Sequence, residues 1–209
     1  MDKSQKIYSI LERTYPGART ALIHADPFQL LVATILSAQC TDERVNKVTP
    51  PLFEKYGSPA EFAEAELKEL ESDIRSTGFY KNKAKNIKAS AGIISSRYKG
   101  RVPSEMEDLI ALPGVARKTA NIVLFHAYGK NEGVAVDTHV RRLSGRMGFT
   151  GNTDPVKIEK DLMEMFPREK WGEITNVLIA HGRAVCKARN PECGGCPVGK
   201  ICPKKGVKG

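Results

Sequence analysis

An aspartate or a serine precedes a proline three times in this chain, and this repeated signal constrains the fold more than any other. The pairs are Asp26-Pro27, Ser58-Pro59 and Asp154-Pro155. An Asp or Ser side chain accepts hydrogen bonds from the first amides of a helix, and proline suits the first helical position. Apolar residues at helical spacing follow, whereas the alternating pattern of strands does not recur. We therefore predict an all-α fold, with helices over 27–36, from 59 to a stop at Gly78, from 155 to before Pro167, and over 171–183.

A second signal is a short turn between two further helices. Ser104 and Glu107 have capping-box spacing, which predicts a helix that begins at Ser104 and runs through Ile110. Pro113 ends that helix, and Gly114 can adopt a positive φ angle at little cost. The amides that follow are the unpaired donors of the next helix's first turn. The sequence therefore predicts a helix-hairpin-helix.

Such a hairpin suits a phosphate group. It offers backbone amides, the positive end of a helix dipole and the charges of Arg117 and Lys118, without contact to any base. An ordinary helical hairpin is the alternative, because a glycine four residues before a lysine is a weak signal. The whole nonapeptide 112–120, followed by residues 136–139 with the sequence Val-Asp-Thr-His, is far more specific.

The third signal is a group of four cysteines within the last 24 residues: Cys186, Cys193, Cys196 and Cys202. Inside a reducing cell such groups bind metal more often than they form disulfides. Four thiolates bind either zinc or an iron-sulfur cluster, and the spacing alone leaves both open. Zinc ribbons usually pair two Cys-x-x-Cys units, whereas this run has only one.

Composition adds limits on the partner and the compartment. The 209 residues carry 33 Lys and Arg against 24 Asp and Glu, and the net charge of +9 suits a polyanion. No stretch approaches the roughly 20 apolar residues that cross a bilayer, and the N-terminus has no apolar signal-peptide core. We expect a cytoplasmic monomer with no membrane contact, associated with the nucleoid if the source is prokaryotic.

Residues 112–120, residues 136–139 and the terminal cysteines resemble the endonuclease III family of helix-hairpin-helix DNA glycosylases and abasic-site lyases. The resemblance implies two helical domains, 21–131 with the hairpin and 1–20 plus 132–209 with a [4Fe-4S] cluster on the four cysteines. The chain departs from the family at Ala116, where the hairpin commonly has a second glycine.

The resemblance also implies an activity in base-excision repair of double-stranded DNA. Lys118 would attack C1′ of a nucleotide with an oxidised pyrimidine, displace the base, and cleave the abasic site by β-elimination through a Schiff base. Asp137 would balance the positive charge that develops on the sugar. The catalytic site would lie in a cleft between the domains. Without the resemblance, Lys118 would be a phosphate contact and Asp137 a helix cap.

Further residues are implied as DNA contacts. Gln39 would fill the space that an everted nucleotide leaves, and Phe79, otherwise a core residue, would wedge the opposite strand. The remaining predicted contacts, in the hairpin, beside Asp137 and in the first cysteine loop, are Gly114, Ala116, Arg117, Thr119, His139, Lys187 and Arg189.

Two other functions are weighed against this one. Two positions disfavour a monofunctional mismatch glycosylase. At the first, adenine-specific relatives generally have glutamate where this chain has Ala33. Thymine-mismatch relatives generally have tyrosine where this chain has Lys118. A non-catalytic DNA-binding module is disfavoured by the presence of both Lys118 and Asp137.

Overall fold

The computed structural model describes residues 2–207, which form eleven α-helices and two 3₁₀ helices and contain no β-strand. The α-helices are α1 (Lys3–Thr14), α2 (Pro27–Leu36), α3 (Asp42–Lys55), α4 (Pro59–Glu64), α5 (Leu67–Asp73), α6 (Tyr80–Arg97), α7 (Met106–Ile110), α8 (Arg117–Tyr128), α9 (Thr138–Met147), α10 (Pro155–Met165) and α11 (Trp171–Ala184). The 3₁₀ helices are Arg75–Thr77 and Arg168–Lys170. The all-α prediction is confirmed, and within the described range no helix is both long and apolar enough to cross a bilayer.

Four predicted helices begin where the sequence places them, and Ser58 caps the one that begins at Pro59 by accepting from the Glu61 amide at 3.3 Å. Asp26 accepts a hydrogen bond from the Gln29 amide at 2.8 Å and caps α2, and Asp154 accepts one from the Lys157 amide at 3.0 Å and caps α10. Trp171 begins α11. The caps act as predicted because their carboxylates satisfy amides that have no partner inside the helix.

The single helix predicted from 59 to Gly78 is wrong, because the chain breaks between α4 and α5. Ala65 and Glu66 adopt extended ψ angles of 138° and 125°. The Lys88 ammonium donates to the carbonyl oxygens of Ala63 at 2.5 Å and Ala65 at 2.6 Å. A side chain from α6 thus takes carbonyls that a continuous helix would use.

The helix predicted to begin at Ser104 begins two residues later, and Ser104 does not cap it. Instead, the Lys130 ammonium donates to the Ser104 carbonyl at 2.7 Å and to its hydroxyl at 3.2 Å. The capping-box pattern is therefore outweighed by a contact from a residue that is distant in sequence.

The described chain divides into two compact units. One, the hairpin unit, comprises residues 21–130, and the other, the cysteine unit, comprises the described residues 2–20 with 131–207. The structure assigns Asn131 to the cysteine unit, one residue earlier than the predicted boundary. Its side chain accepts from the Gly172 amide at 2.9 Å, and its carbonyl accepts from Arg168 Nε at 2.9 Å.

Each unit has its own apolar core. In the hairpin unit α2 is buried on nearly every face, from Leu30 through Leu36, and packs against α3, α6 and α8. In the cysteine unit the core comes mainly from α1, α9, α10 and α11, with Leu11, Leu143 and Leu162 fully buried. These two cores fix the starts of α8 and α9, where Lys118 and Asp137 lie.

Candidate active site and cysteine loop

The hairpin turn is held against α6 by close contacts. Gly114 has a φ angle of 78°, and a Cβ atom there would lie 2.8 Å from both Cβ and Nδ2 of Asn86. Ser90 donates a hydrogen bond to the Pro113 carbonyl at 2.7 Å. Only glycine fits this position, because both the left-handed backbone and the approach of Asn86 exclude a side chain.

Ala116, the departure from the family pattern, occupies the N-cap of α8. Its φ of −86° and ψ of 166° are open to any residue, so alanine introduces no backbone strain. It supplies no side-chain cap to the helix. The start of α8 therefore presents backbone amides rather than a serine or aspartate oxygen.

Lys118 lies in the first turn of α8 and is exposed, as is its neighbour Arg117, whereas Thr119 is half-buried. The apolar face of the helix explains this orientation. Ala120 and Val123 are fully buried, and the helical period turns Lys118 away from them. The first turn thus combines a positive helix end with two cationic side chains.

Asp137 follows an extended segment that is pinned to α11. The Ala135 amide donates to Thr175 Oγ1 at 3.1 Å, and that hydroxyl donates to the Ala135 carbonyl at 3.2 Å. Asp137 then caps α9, since its Oδ1 accepts from the Val140 amide at 2.8 Å. Its carboxylate is half-buried and held in one orientation by this bond.

Arg142, one turn into α9, links this helix to the cysteine loop. Its guanidinium donates to the Cys186 carbonyl from Nε at 3.2 Å and Nη2 at 3.0 Å. Burial lowers the pKa of Arg142. Nη2 also lies 3.1 Å from Nδ1 of His139, so the ring predicted to contact DNA has a partner within its own helix. A Cβ at Gly182 would come within 2.6 Å of that nitrogen, which explains a glycine there.

The four cysteines line one cavity of about 340 Å³, including the part open to solvent, beside Arg146 and His181. The chain turns tightly around it. The Gly199 amide donates to the Cys196 carbonyl at 2.9 Å, and a Cβ at Gly199 would lie 2.6 Å from the Cys193 carbonyl oxygen. The four thiols are thus gathered around a single space by a loop that requires glycine.

Three of these sulfur atoms face nitrogen atoms that can donate to a thiolate. Arg146 Nη1 donates to Cys186 Sγ at 3.4 Å, and the Lys204 amide donates to Cys202 Sγ at 3.4 Å. His181 Nε2 lies 3.6 Å from Cys196 Sγ. Such N–H donors stabilise anionic sulfur and tune clusters held by thiolates, so the donor set fits a [4Fe-4S] cluster.

The fully buried His181 is neutral, because burial lowers its pKa to about 4. Tyr15 Oη lies 2.9 Å from Nδ1 of this ring. A thiolate at Cys196 can only accept a hydrogen bond, so Nε2 must carry the proton and Tyr15 must donate to Nδ1. The ring is thereby aligned between α1 and the cysteine loop.

The remaining predicted DNA contacts differ in their surroundings. Gln39 and Phe79 are exposed and adopt positive φ angles of 54° and 48°, and Phe79 is 65% exposed, so the reading of Phe79 as a core residue is wrong. Lys187 and Arg189 are both exposed, and Nζ of Lys187 forms an ion pair with Oε1 of Glu192 at 2.6 Å.

Sequence reasoning did not single out Arg142 and Arg146, two of the three arginines of α9. Arg142 and Arg146 are spaced four residues apart, which places them on one helix face, but this spacing is common on exposed helices. Only the fold shows that this face meets the cysteine loop.

Comparison with known protein families defines the class of protein. Residues 32–168 match the model of the HhH-GPD superfamily base excision DNA repair protein, and residues 186–202 match the iron-sulfur binding domain of endonuclease III. The fold and the hairpin are therefore those of a helix-hairpin-helix base-excision repair protein.

Individual relatives are more specific. The chain is 54% identical to Endonuclease III of Synechocystis sp. (strain ATCC 27184 / PCC 6803 / Kazusa), over 96% of this chain and 92% of the relative. Two solved structures, a non-covalent Endonuclease III-DNA complex and a trapped Endonuclease III-DNA covalent intermediate, share 44% identity and a TM-score of 0.91. They cover 98% of this chain and 96% and 97% of their own chains.

This chain belongs to the endonuclease III family. It is a base-excision repair enzyme, a DNA glycosylase with abasic-site lyase activity, and its cofactor is a [4Fe-4S] cluster. The predictions of family, enzyme class and cofactor are confirmed.

Proposed function

We propose that this enzyme removes oxidised pyrimidines from double-stranded DNA inside the cell and cleaves the resulting abasic site with Lys118 as the nucleophile. The observation that carries this proposal is the exposed Lys118 at the start of α8, directly after the glycine turn. The trapped covalent DNA intermediate of a relative supports it.

The proposed reaction passes through a covalent bond between Lys118 and the sugar. The neutral Lys118 amine forms a bond to C1′ as the bond to the base breaks, and the base leaves with a proton. Opening of the sugar ring gives a Schiff base between Nζ and C1′. Loss of a proton from C2′ then expels the 3′ phosphate, and water hydrolyses the Schiff base to restore the free amine.

Asp137 supplies negative charge while the sugar becomes positive. Its carboxylate is oriented before substrate arrives, because Oδ1 already accepts from the Val140 amide. A fixed charge of this kind stabilises the transition state without reorganisation. The capping bond and the catalytic role are compatible, since a carboxylate has two oxygens.

The hairpin binds the DNA backbone. The amides that follow Gly114, including those of Ala116 and Thr119, and the charge of Arg117 surround one phosphate. His139 and Arg189 add contacts, while Lys187 contributes through a charge that Glu192 partly offsets. Gln39 and Phe79 enter the duplex beside the everted nucleotide.

Cys186, Cys193, Cys196 and Cys202 hold the [4Fe-4S] cluster, whose iron-thiolate bonds keep loop 186–202 in one conformation when it is bound. Arg146, His181 and the Lys204 amide each donate to one of these sulfurs. Arg142 fixes the backbone of Cys186 to α9. Folding of the loop and binding of the cluster are therefore coupled.

Replacement of one ligand tests this assignment. We expect Cys196→Ser to lose iron and sulfide, to unfold at a lower temperature and to bind DNA weakly, because the loop is folded by its cluster. The matched control is Cys40→Ser, since Cys40 lies in the hairpin unit and should leave the iron content unchanged. Wild-type iron and sulfide in purified Cys196→Ser would contradict the assignment.

A product assay on duplexes with one lesion each tests the activity. We expect duplexes with an oxidised pyrimidine to give a cleaved strand that ends in a 3′ unsaturated aldehyde, and duplexes with an A or T mismatch to remain intact. A monofunctional glycosylase would instead leave an uncleaved abasic strand. Release of a mismatched base, with no action on oxidised pyrimidines, would refute the proposed substrate class.

A further inference from the structure

Lys83 is a buried lysine that the reaction does not use. Its side chain is only 5% exposed, and Nζ donates to the carbonyl oxygens of Leu36 and Thr77, both at 2.8 Å. Burial lowers the pKa of this amine. A buried polar group is costly unless it is hydrogen-bonded, so these two carbonyls are what retain the charge at this position.

The first carbonyl ends α2. Local donors from Ser37 and Ala38 reach the three preceding carbonyls, and the Lys83 ammonium reaches that of Leu36. A cation at the C-terminus of a helix also meets the negative end of its dipole. The turn that begins here contains Gln39, so Lys83 holds the base of that turn.

The second carbonyl precedes Phe79. Thr77 is the last residue of the 3₁₀ helix, and Gly78 follows it with a φ angle of 70°. The Lys83 backbone amide donates to the Phe79 carbonyl at 3.1 Å, while its ammonium holds Thr77. The Lys83 side chain therefore holds the chain two residues before the exposed phenylalanine, and the Lys83 backbone holds the phenylalanine carbonyl.

Both turns contain strained residues. Gln39 and Phe79 adopt left-handed conformations, which are unfavourable for residues other than glycine. Such conformations persist only when the surrounding structure enforces them. A single ammonium that contacts both segments provides that constraint.

We propose that Lys83 is a positioning residue that fixes the Gln39 turn relative to the Phe79 turn, so that both side chains enter the duplex together as the damaged nucleotide leaves the stack. The inference rests on the proposed function of these two residues. Lys83 itself touches neither the DNA nor the reacting atoms.

The test compares one lesion in two duplexes, either paired normally or placed opposite a mismatched base. Eversion of an unpaired base costs less, so it depends less on the two wedges. We expect Lys83→Met to slow single-turnover base release from the paired duplex by up to about 100-fold, the effect of small misplacements near a reaction centre. The mismatched duplex should recover most of that loss. Lys85→Met, an exposed lysine on the same helix, is the control for the lost charge.

Equal rates for Lys83→Met and wild type on the paired duplex would overturn the proposal. An equal loss on both duplexes would also overturn it, because it would indicate general destabilisation. If Lys83→Met does not fold, Lys83→Gln keeps a neutral donor group and should show the same preference for the mismatched duplex to a smaller extent. A wild-type enzyme inactive on both duplexes would instead refute the proposed function, which separates the two failures.

Discussion

Lys118→Gln should abolish strand cleavage and borohydride trapping on an oxidised-pyrimidine duplex. Glutamine lacks the amine that bonds to C1′, so we expect a loss on the order of 10⁴-fold or more, the scale observed when a covalent nucleophile is removed. Folding should be unaffected, because the side chain is exposed. Single-turnover cleavage and thermal unfolding measure the two effects separately.

The matched control is Lys157→Gln. Lys157 is likewise an exposed lysine in the first turn of a helix, α10, so its loss changes charge in a similar setting. It should leave cleavage unchanged. Wild-type cleavage by Lys118→Gln would return Lys118 to the role of a phosphate contact and remove the mechanistic basis of the lyase step.

Asp137→Asn should slow base release by about 10²–10³-fold, the cost of removing one oriented electrostatic group from an active site. Asparagine caps helices about as well as aspartate, so α9 and the thermal stability should be largely retained. Binding to DNA that already contains an abasic site should survive, because no base remains to be expelled. Parallel measurements of base release and abasic-site affinity test this separation.

Asp154→Asn provides the control for the capping role. Asp154 caps α10 as Asp137 caps α9, with amide distances of 3.0 Å and 2.8 Å. If both substitutions affected stability alike and neither slowed base release, Asp137 would be only a helix cap.

The sequence predicts a helix boundary correctly where the residue that sets it lies next to that helix in the chain. The starts of α2 and α10 follow from Asp26 and Asp154, because each carboxylate satisfies amides within three residues. The start of α7 does not follow from Ser104, because Lys130 is 26 residues away and takes its oxygens. The break after α4 likewise depends on Lys88, whose distance in sequence hides the contact.

The residues of the candidate site also differ in whether the sequence predicts them. The spacing of the four cysteines predicts metal ligands from the residues alone. The catalytic roles predicted for Lys118 and Asp137 come instead from the resemblance to the family, since their local sequence alone would indicate a phosphate contact and a helix cap. The roles of Arg146 and His181 depend on where α9 and α11 pack against the loop, which no local pattern in this sequence reveals. Lys83 was not predicted either, because a lysine in the first turn of a helix is normally exposed.

The most direct test of the central claim is to identify the residue that bonds to DNA. Borohydride is added while the wild-type enzyme turns over a duplex with one oxidised pyrimidine, and the cross-linked protein is digested and examined by mass spectrometry. We predict that the sugar adduct lies on the peptide that contains Lys118, attached at Nζ. An adduct on any other amine, or no adduct while the strand is cleaved, would contradict the account.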